Sequence, residues 1–140
     1  MFKTILVPVD LTDRHGPAVD RAVELAKASG GKVILAHVIE TIAGLKEDPE
    51  DRHFYDRLER TSRQHLEQIG ATVEGRGTTW QMELRFGPVA RQVMELAQEF
   101  GADLIVVTTP RLNPSNPTTG VASLSWKISL LAPCPVLLVK

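Results

Sequence analysis

The chain is short of most features that announce a function. Of its 140 residues only Cys134 is a cysteine, so no intrachain disulfide can form, and a reducing compartment is expected. Sixteen basic side chains against seventeen acidic ones leave a formal net charge of -1. No summed field would recruit nucleic acid or an anionic membrane, so neither is expected as a partner. There is no apolar run of roughly 18 residues, and Met1-Phe2-Lys3 leads into a strand without the pattern of an export leader. The expected location is therefore cytoplasmic. Neither internal repeats nor low-complexity tracts occur, and a chain of this length buries about 68–70% of its unfolded surface, enough for one core. One domain spanning 1–140 is expected.

Catalytic and metal-binding patterns are also missing. His15, His37, His53 and His65 lack metal-ligand spacing, and no cysteine pair accompanies them, so no metal site is expected. There is no G-x-S-x-G elbow, no Walker loop and no G-x-G-x-x-G after the first strand; Gly75-Arg76-Gly77 follows a helix and reads as a turn. No catalytic residue is identified. Glu83 reads as a strand-face charge and Asp103 as a cap or turn residue.

What is present is an alternation of elements. Ile5 to Val9 is a β-branched apolar run that reads as a strand buried on both faces. Thr12 and Asp13 offer caps, Val19, Ala22, Val23 and Ala26 recur at helical spacing, and Gly30-Gly31 provides a left-handed stop. Val33 to Val38 is a second strand. Glu40 to Asp51 is polar and reads as a loop before a second helix, whose face carries Tyr55, Leu58, Ser62, Leu66 and Ile69. Thr79 to Leu84 is a strand. A third helix follows Gly87-Pro88 with the stripe Val89, Ala90, Val93, Leu96, Ala97 and Phe100. Leu104 to Val107 is a strand, Thr109 to Gly120 a loop with three prolines, and Leu124, Ile128 and Leu131 line the buried face of a short last helix, leaving Trp126 beside Leu130 on another face. Pro135 to Val139 is the final strand. Five strands alternating with four helices predict an α/β fold with an open, doubly wound parallel sheet, because parallel neighbours need crossovers.

Five fragments carry a resemblance: Thr4 to Asp10 (TILVPVD), Ala36-His37-Val38, Gly87-Pro88-Val89-Ala90, Gly101 to Val107 (GADLIVV) and Ala132 to Val136 (APCPV). In this order and spacing the chain resembles the universal stress protein family over essentially its whole length. The resemblance implies a Rossmann-like sheet in the order 3-2-1-4-5 and, for many members, a dimer. Members that bind ATP carry G-x-x-G, nine residues, then G-[ST], after the fourth strand. The matching positions here are Thr109, Leu112, Ala122 and Ser123, so every glycine is replaced and only the hydroxyl residue remains.

Glycine at such positions allows positive φ and close backbone approach to an anion. Thr109 and Leu112 would each be strained by about 1–2 kcal/mol in left-handed geometry, and Pro110 has no N–H to donate. By the same resemblance Asp10 matches a residue that contacts adenosine, and Val9 and Val38 match residues that line the adenine pocket. Asp10 as a turn cap and both valines as core is the more economical account of those residues. Arg111 offers a planar fork for a phosphate or a solvated charge, Ser123 and Ser125 offer hydroxyls, and Ser123 also reads as an N-cap. The modified or vestigial nucleotide site is thus Val9, Asp10, Val38, Thr109, Arg111, Leu112, Ala122, Ser123 and Leu124.

Two functional readings follow. The first is a non-catalytic, dimeric stress protein with no cofactor, which does not bind ATP through the usual motif and acts on an unknown protein partner. The second is an adenine-nucleotide sensor, for ATP or AMP, with a rebuilt phosphate loop; weak hydrolysis is a third, less economical option. Val136, Leu137, Leu138 and Val139 form an apolar edge strand in the implied order, so a homodimer pairing these edges about a two-fold axis is expected.

Overall fold

The computed structural model of the chain describes residues 1–41, 49–109, 115 and 123–140. Five strands, β1 (Thr4–Pro8), β2 (Lys32–Ile39), β3 (Thr79–Phe86), β4 (Leu104–Thr108) and β5 (Val136–Val139), form one sheet in the order β3-β2-β1-β4-β5. Every neighbouring pair is parallel. Four α-helices alternate with them: α1 (Gly16–Ser29), α2 (Pro49–Gly75), α3 (Val89–Glu99) and α4 (Leu124–Leu131).

The continuous apolar runs of the inner strands have a direct cause: successive side chains point to opposite faces, and both faces are covered. Ile5, Val7, Val33, Leu35, Leu104 and Val106 pack with α1 and with Leu66, Ile69 and Val73 of α2. Leu6, Ile34, Ile105 and Val107 pack with Val93, Leu96 and Ala97 of α3 and Ile128 of α4. Helices α1 and α2 therefore form one layer and α3 and α4 the other.

Several boundaries differ from the sequence reading. Strand β1 ends at Pro8, although the Val9 amide still donates to the Ala36 carbonyl at 2.8 Å. β3 runs two residues past Leu84, to Phe86, because its whole length pairs with β2. The polar stretch read as a loop through Asp51 is already helical at Pro49, which suits a first helical turn, and Glu50 and Asp51 lie where the helix dipole favours negative charge. In α4 only Ser125 and Ile128 are buried, while Leu124 and Leu131 are 38% and 63% exposed, contrary to the stripe expected from their spacing. The helix spans barely two turns, and Ile128 is the side chain that joins the core beneath α3. Trp126 and Leu130 are exposed as expected; the proline-containing segment that could cover Trp126 lies outside the described residues.

Asp103 ties the sheet together at its amino end. Its carboxylate accepts from the Lys3 amide at 2.8 Å and the Thr4 amide at 3.1 Å, and its own amide donates to the Thr4 carbonyl. Burial alone would raise the Asp103 pKa, but the hydrogen bonds from Lys3 and Thr4 outweigh it and hold the group below its ordinary 3.8. A depressed folded-state pKa stabilises the fold above the ordinary value, and that contribution is lost as pH falls through the folded value. Asp103→Ala is expected to cost about 1 kcal/mol at pH 7, at the low end for a partly exposed group, with the difference from wild type shrinking below pH 3.8 in urea unfolding. On the opposite flank, a Cβ at Gly70 would lie 2.2 Å from the Trp80 ring, so α2 seats on β3 through a missing side chain. Gly70→Ala should destabilise by about 1–3 kcal/mol despite its better helix propensity, measured as a fall in the urea midpoint.

Candidate functional site

In this strand order the crossovers run in opposite directions away from β1 and β4, which opens a crevice at the carboxyl ends of those strands. A cavity of about 590 Å³ occupies it, within the range of small-molecule sites. Val9 and Val38 line it with Ala36 and Val107 from the sheet, Val89 and Val93 from α3, and Phe54, Tyr55 and Leu58 from α2. Asp10, His15, His37, Glu40 and Thr108 supply its polar border. A second, more polar cavity of about 710 Å³ shares Asp10, Val107, Thr108 and Leu124 with the first and is bounded by Arg14, Thr109, Ser123, Ser125 and Lys140. Apolar and polar halves thus meet along Asp10 and Leu124.

Asp10 stands between the halves because β1 ends immediately before it. Its carboxylate accepts from the Thr12 amide at 3.0 Å and the Thr12 hydroxyl at 2.7 Å, closing a turn that holds Leu11 at φ 65°. Leu11 and Phe2 are the non-glycine residues with positive φ among those described. Burial pushes the Asp10 pKa up, but the Thr12 hydrogen bonds and the nearby Arg14 charge bring it below 3.8, so the group is a carboxylate at neutral pH. Asp10 therefore caps its turn and lines the crevice at once; the two readings of this residue are compatible. His37, on β2, donates from Nδ1 to the Val9 carbonyl at 2.7 Å, since a carbonyl can only accept. His15 makes the same kind of bond, from Nδ1 to the Thr12 carbonyl.

The polar half is built of hydroxyls. Ser125 donates to the Thr109 hydroxyl at 3.0 Å and lies 2.9 Å from the Ser123 hydroxyl, while Ser123 caps α4 by accepting from the Trp126 amide. These hydroxyls are engaged with one another rather than with a histidine or carboxylate. The Thr109 amide donates to the Val139 carbonyl at 2.8 Å, so it continues the sheet and is not free to meet an anion. Thr109 is not left-handed, so the strain expected at this position does not arise. Arg111, Leu112 and Ala122 lie outside the described residues.

Several lining residues were not singled out as site residues from the sequence. Tyr55 and Leu58 share the spacing of a core stripe, but both are half-buried and line the cavity. Phe54 breaks that stripe, which was a signal. His37 lacks metal-ligand spacing in the sequence but lines the cavity. Arg14 and Lys140 put two cations on the polar half, and only the fold brings residues so far apart in sequence to one cavity. Among the described residues no cluster of His, Cys, Asp and Glu could hold a metal ion, and no helix is long and apolar enough to cross a membrane.

Comparison with known proteins agrees with this architecture. The chain is 30% identical to universal stress protein G of Escherichia coli O157:H7 over 146 residues, covering all of both chains. It is 32% identical to universal stress protein Sll1654 of Synechocystis over 143 residues, covering 99% of this chain and 86% of that one. Among solved structures, UspA from Lactobacillus plantarum superposes with a TM-score of 0.85 at 22% identity, covering 99% and 98% of the two chains. The Archaeoglobus fulgidus universal stress protein in complex with dAMP gives 0.73 at 21% identity with complete coverage of both. A universal stress protein in complex with cAMP gives 0.72 at 24%, covering 99% and 97%. The family model for universal stress proteins matches residues 1–140, and the chain belongs to the universal stress protein family.

Proposed function

We propose that this chain is a single-domain, non-catalytic stress regulator that works as a homodimer and binds an adenine nucleoside or monophosphate, without holding ATP through the usual glycine motif. The observation that carries this reading is the division of the crevice. The apolar half retains Val9, Asp10 and Val38 at the mouth of a cavity large enough for a base and ribose, while the Thr109 amide of the phosphate half is committed to Val139. Arg14, Lys140 and the Thr109, Ser123 and Ser125 hydroxyls suit one phosphate group better than a chain of three that needs converging backbone amides. That two fold neighbours were solved with cAMP and with dAMP accords with a monophosphate. Cys134, a half-buried thiol whose pKa burial pushes up, accords with a reducing cytoplasm.

The dimer reading rests on the contrast between the two sheet edges. β3 is blunted by Gln81, Glu83 and Arg85, with Arg85 bridging to Glu83 at 2.9 Å and to Glu99 at 3.1 Å. β5 carries Leu137 and Leu138, both exposed, and the adjoining α4 exposes Trp126, Leu130 and Leu131. An apolar edge of this kind invites pairing, and antiparallel contact of two β5 strands closes it. A different protein binding the same surface is the second reading.

Saturation at about 100 times the dissociation constant stabilises by about 2.7 kcal/mol, so AMP or cAMP at millimolar concentration should raise Tm by about 5–10 °C, and Mg-ATP by less. Equal or larger stabilisation by Mg-ATP would sink the proposed loss of the phosphate loop. Light scattering at micromolar concentration should report a dimer, and Leu138→Lys should convert it to a monomer with unchanged circular dichroism; a wild-type monomer would leave the edge to another partner.

A further inference from the structure

The polar border of the apolar cavity is largely engaged within the protein. Asp10 accepts from the Thr12 amide and hydroxyl at 3.0 and 2.7 Å, and the Thr108 hydroxyl donates to the Arg14 carbonyl at 3.3 Å. The His15 and His37 rings give their Nδ1 protons to the carbonyls of Thr12 and Val9. Glu40, exposed to solvent, and the Tyr55 hydroxyl complete the border. The donors of His15, His37 and Thr108 are thus already used.

A ligand entering the cavity of about 590 Å³ therefore meets mainly apolar surface, including Val89 and Val93 of α3 and Phe54, Tyr55 and Leu58 of α2. Polar ligand atoms buried there lose water and find few donors to replace it. Buried hydrocarbon gains affinity instead, about threefold to fourfold per methylene. The adjoining polar cavity has the complementary character: Arg14 and Lys140 are two cations against one carboxylate, Asp10, which Thr12 already engages. The two cavities share Asp10, Val107, Thr108 and Leu124, so one molecule can lie across both.

We infer that the crevice binds amphipathic monoanions, with a single carboxylate at Arg14 and Lys140 and a hydrocarbon or aryl body filling the apolar cavity. This goes beyond the adenine-nucleotide reading and uses the same crevice, so the two kinds of ligand compete.

The test is isothermal titration of the full chain with hexanoate and octanoate below their micelle concentrations, with 1-naphthoate as the aryl counterpart and octanol as the uncharged one. Octanoate should bind about tenfold more tightly than hexanoate, and millimolar AMP should weaken octanoate binding. A tighter complex with octanoate than with naphthoate identifies an acyl chain as the preferred body, and the reverse order an aryl group. The double variant Arg14→Gln, Lys140→Gln should bind octanoate at least tenfold more weakly and octanol unchanged. Leu58→Gln should weaken both about tenfold, with circular dichroism unchanged; Phe54→Gln, at an exposed position, serves if that variant does not fold. Octanoate affinity that is indifferent to chain length, to the two cations or to the cavity wall places it elsewhere on the surface and overturns the inference. AMP binding without octanoate binding also overturns it and leaves the nucleotide reading standing; octanoate binding without AMP binding does the reverse.

Discussion

Burial of β1 on both faces is the constraint from which the rest of the structure follows. Ile5, Leu6 and Val7 are fully buried in consecutive positions, so they must face two separate layers. One layer is closed by α1 and α2 and the other by α3 and α4, and the chain has to cross the sheet between β3 and β4 to build both. That crossing places β4 beside β1 with crossovers leaving in opposite directions. The crevice is the unavoidable gap where no helix covers the carboxyl ends of the two strands.

The crevice has an apolar half and a polar half of different origin. Its apolar half follows from the core itself, since Val9, Val38 and Val107 extend the buried strands to the surface. Its polar half is bordered by Arg14, Lys140 and the hydroxyls of Thr109, Ser123 and Ser125. Thr109 has settled as the last rung of the sheet, its amide on Val139 and its hydroxyl accepting from Ser125.

The same two-layer sheet leaves two edges, and they have been treated differently. Charges and the Arg85 ion pairs make β3 a poor template for another strand. β5 carries no such charge, and the exposed leucines of α4 and β5 lie on the side of the molecule away from it. One end of the sheet is charged and the other apolar.

The element order was legible because periodicity and punctuation agree: a run buried on both faces cannot be mistaken for an amphipathic helix, and Gly30, at φ 68°, stops α1 where Gly30-Gly31 suggested. The resemblance carried the strand order and the positions of Val9, Asp10 and Val38, all of which line the crevice. Legibility failed where tertiary contact overrides local pattern. Leu124 and Leu131 have core spacing but stand exposed, because a two-turn helix reaches the core through Ile128. Tyr55 has core spacing and lines the cavity, its ring against Phe54 and Phe86 and apart from the core contacts of Leu66, Ile69 and Val73. The sequence by itself determined which segments become strands and helices, through side-chain periodicity and turn residues that act over a few positions. Only the tertiary structure decided that Arg14, Tyr55 and Lys140 border one crevice, because residues far apart in the chain are brought together by the order of the strands and by nothing local.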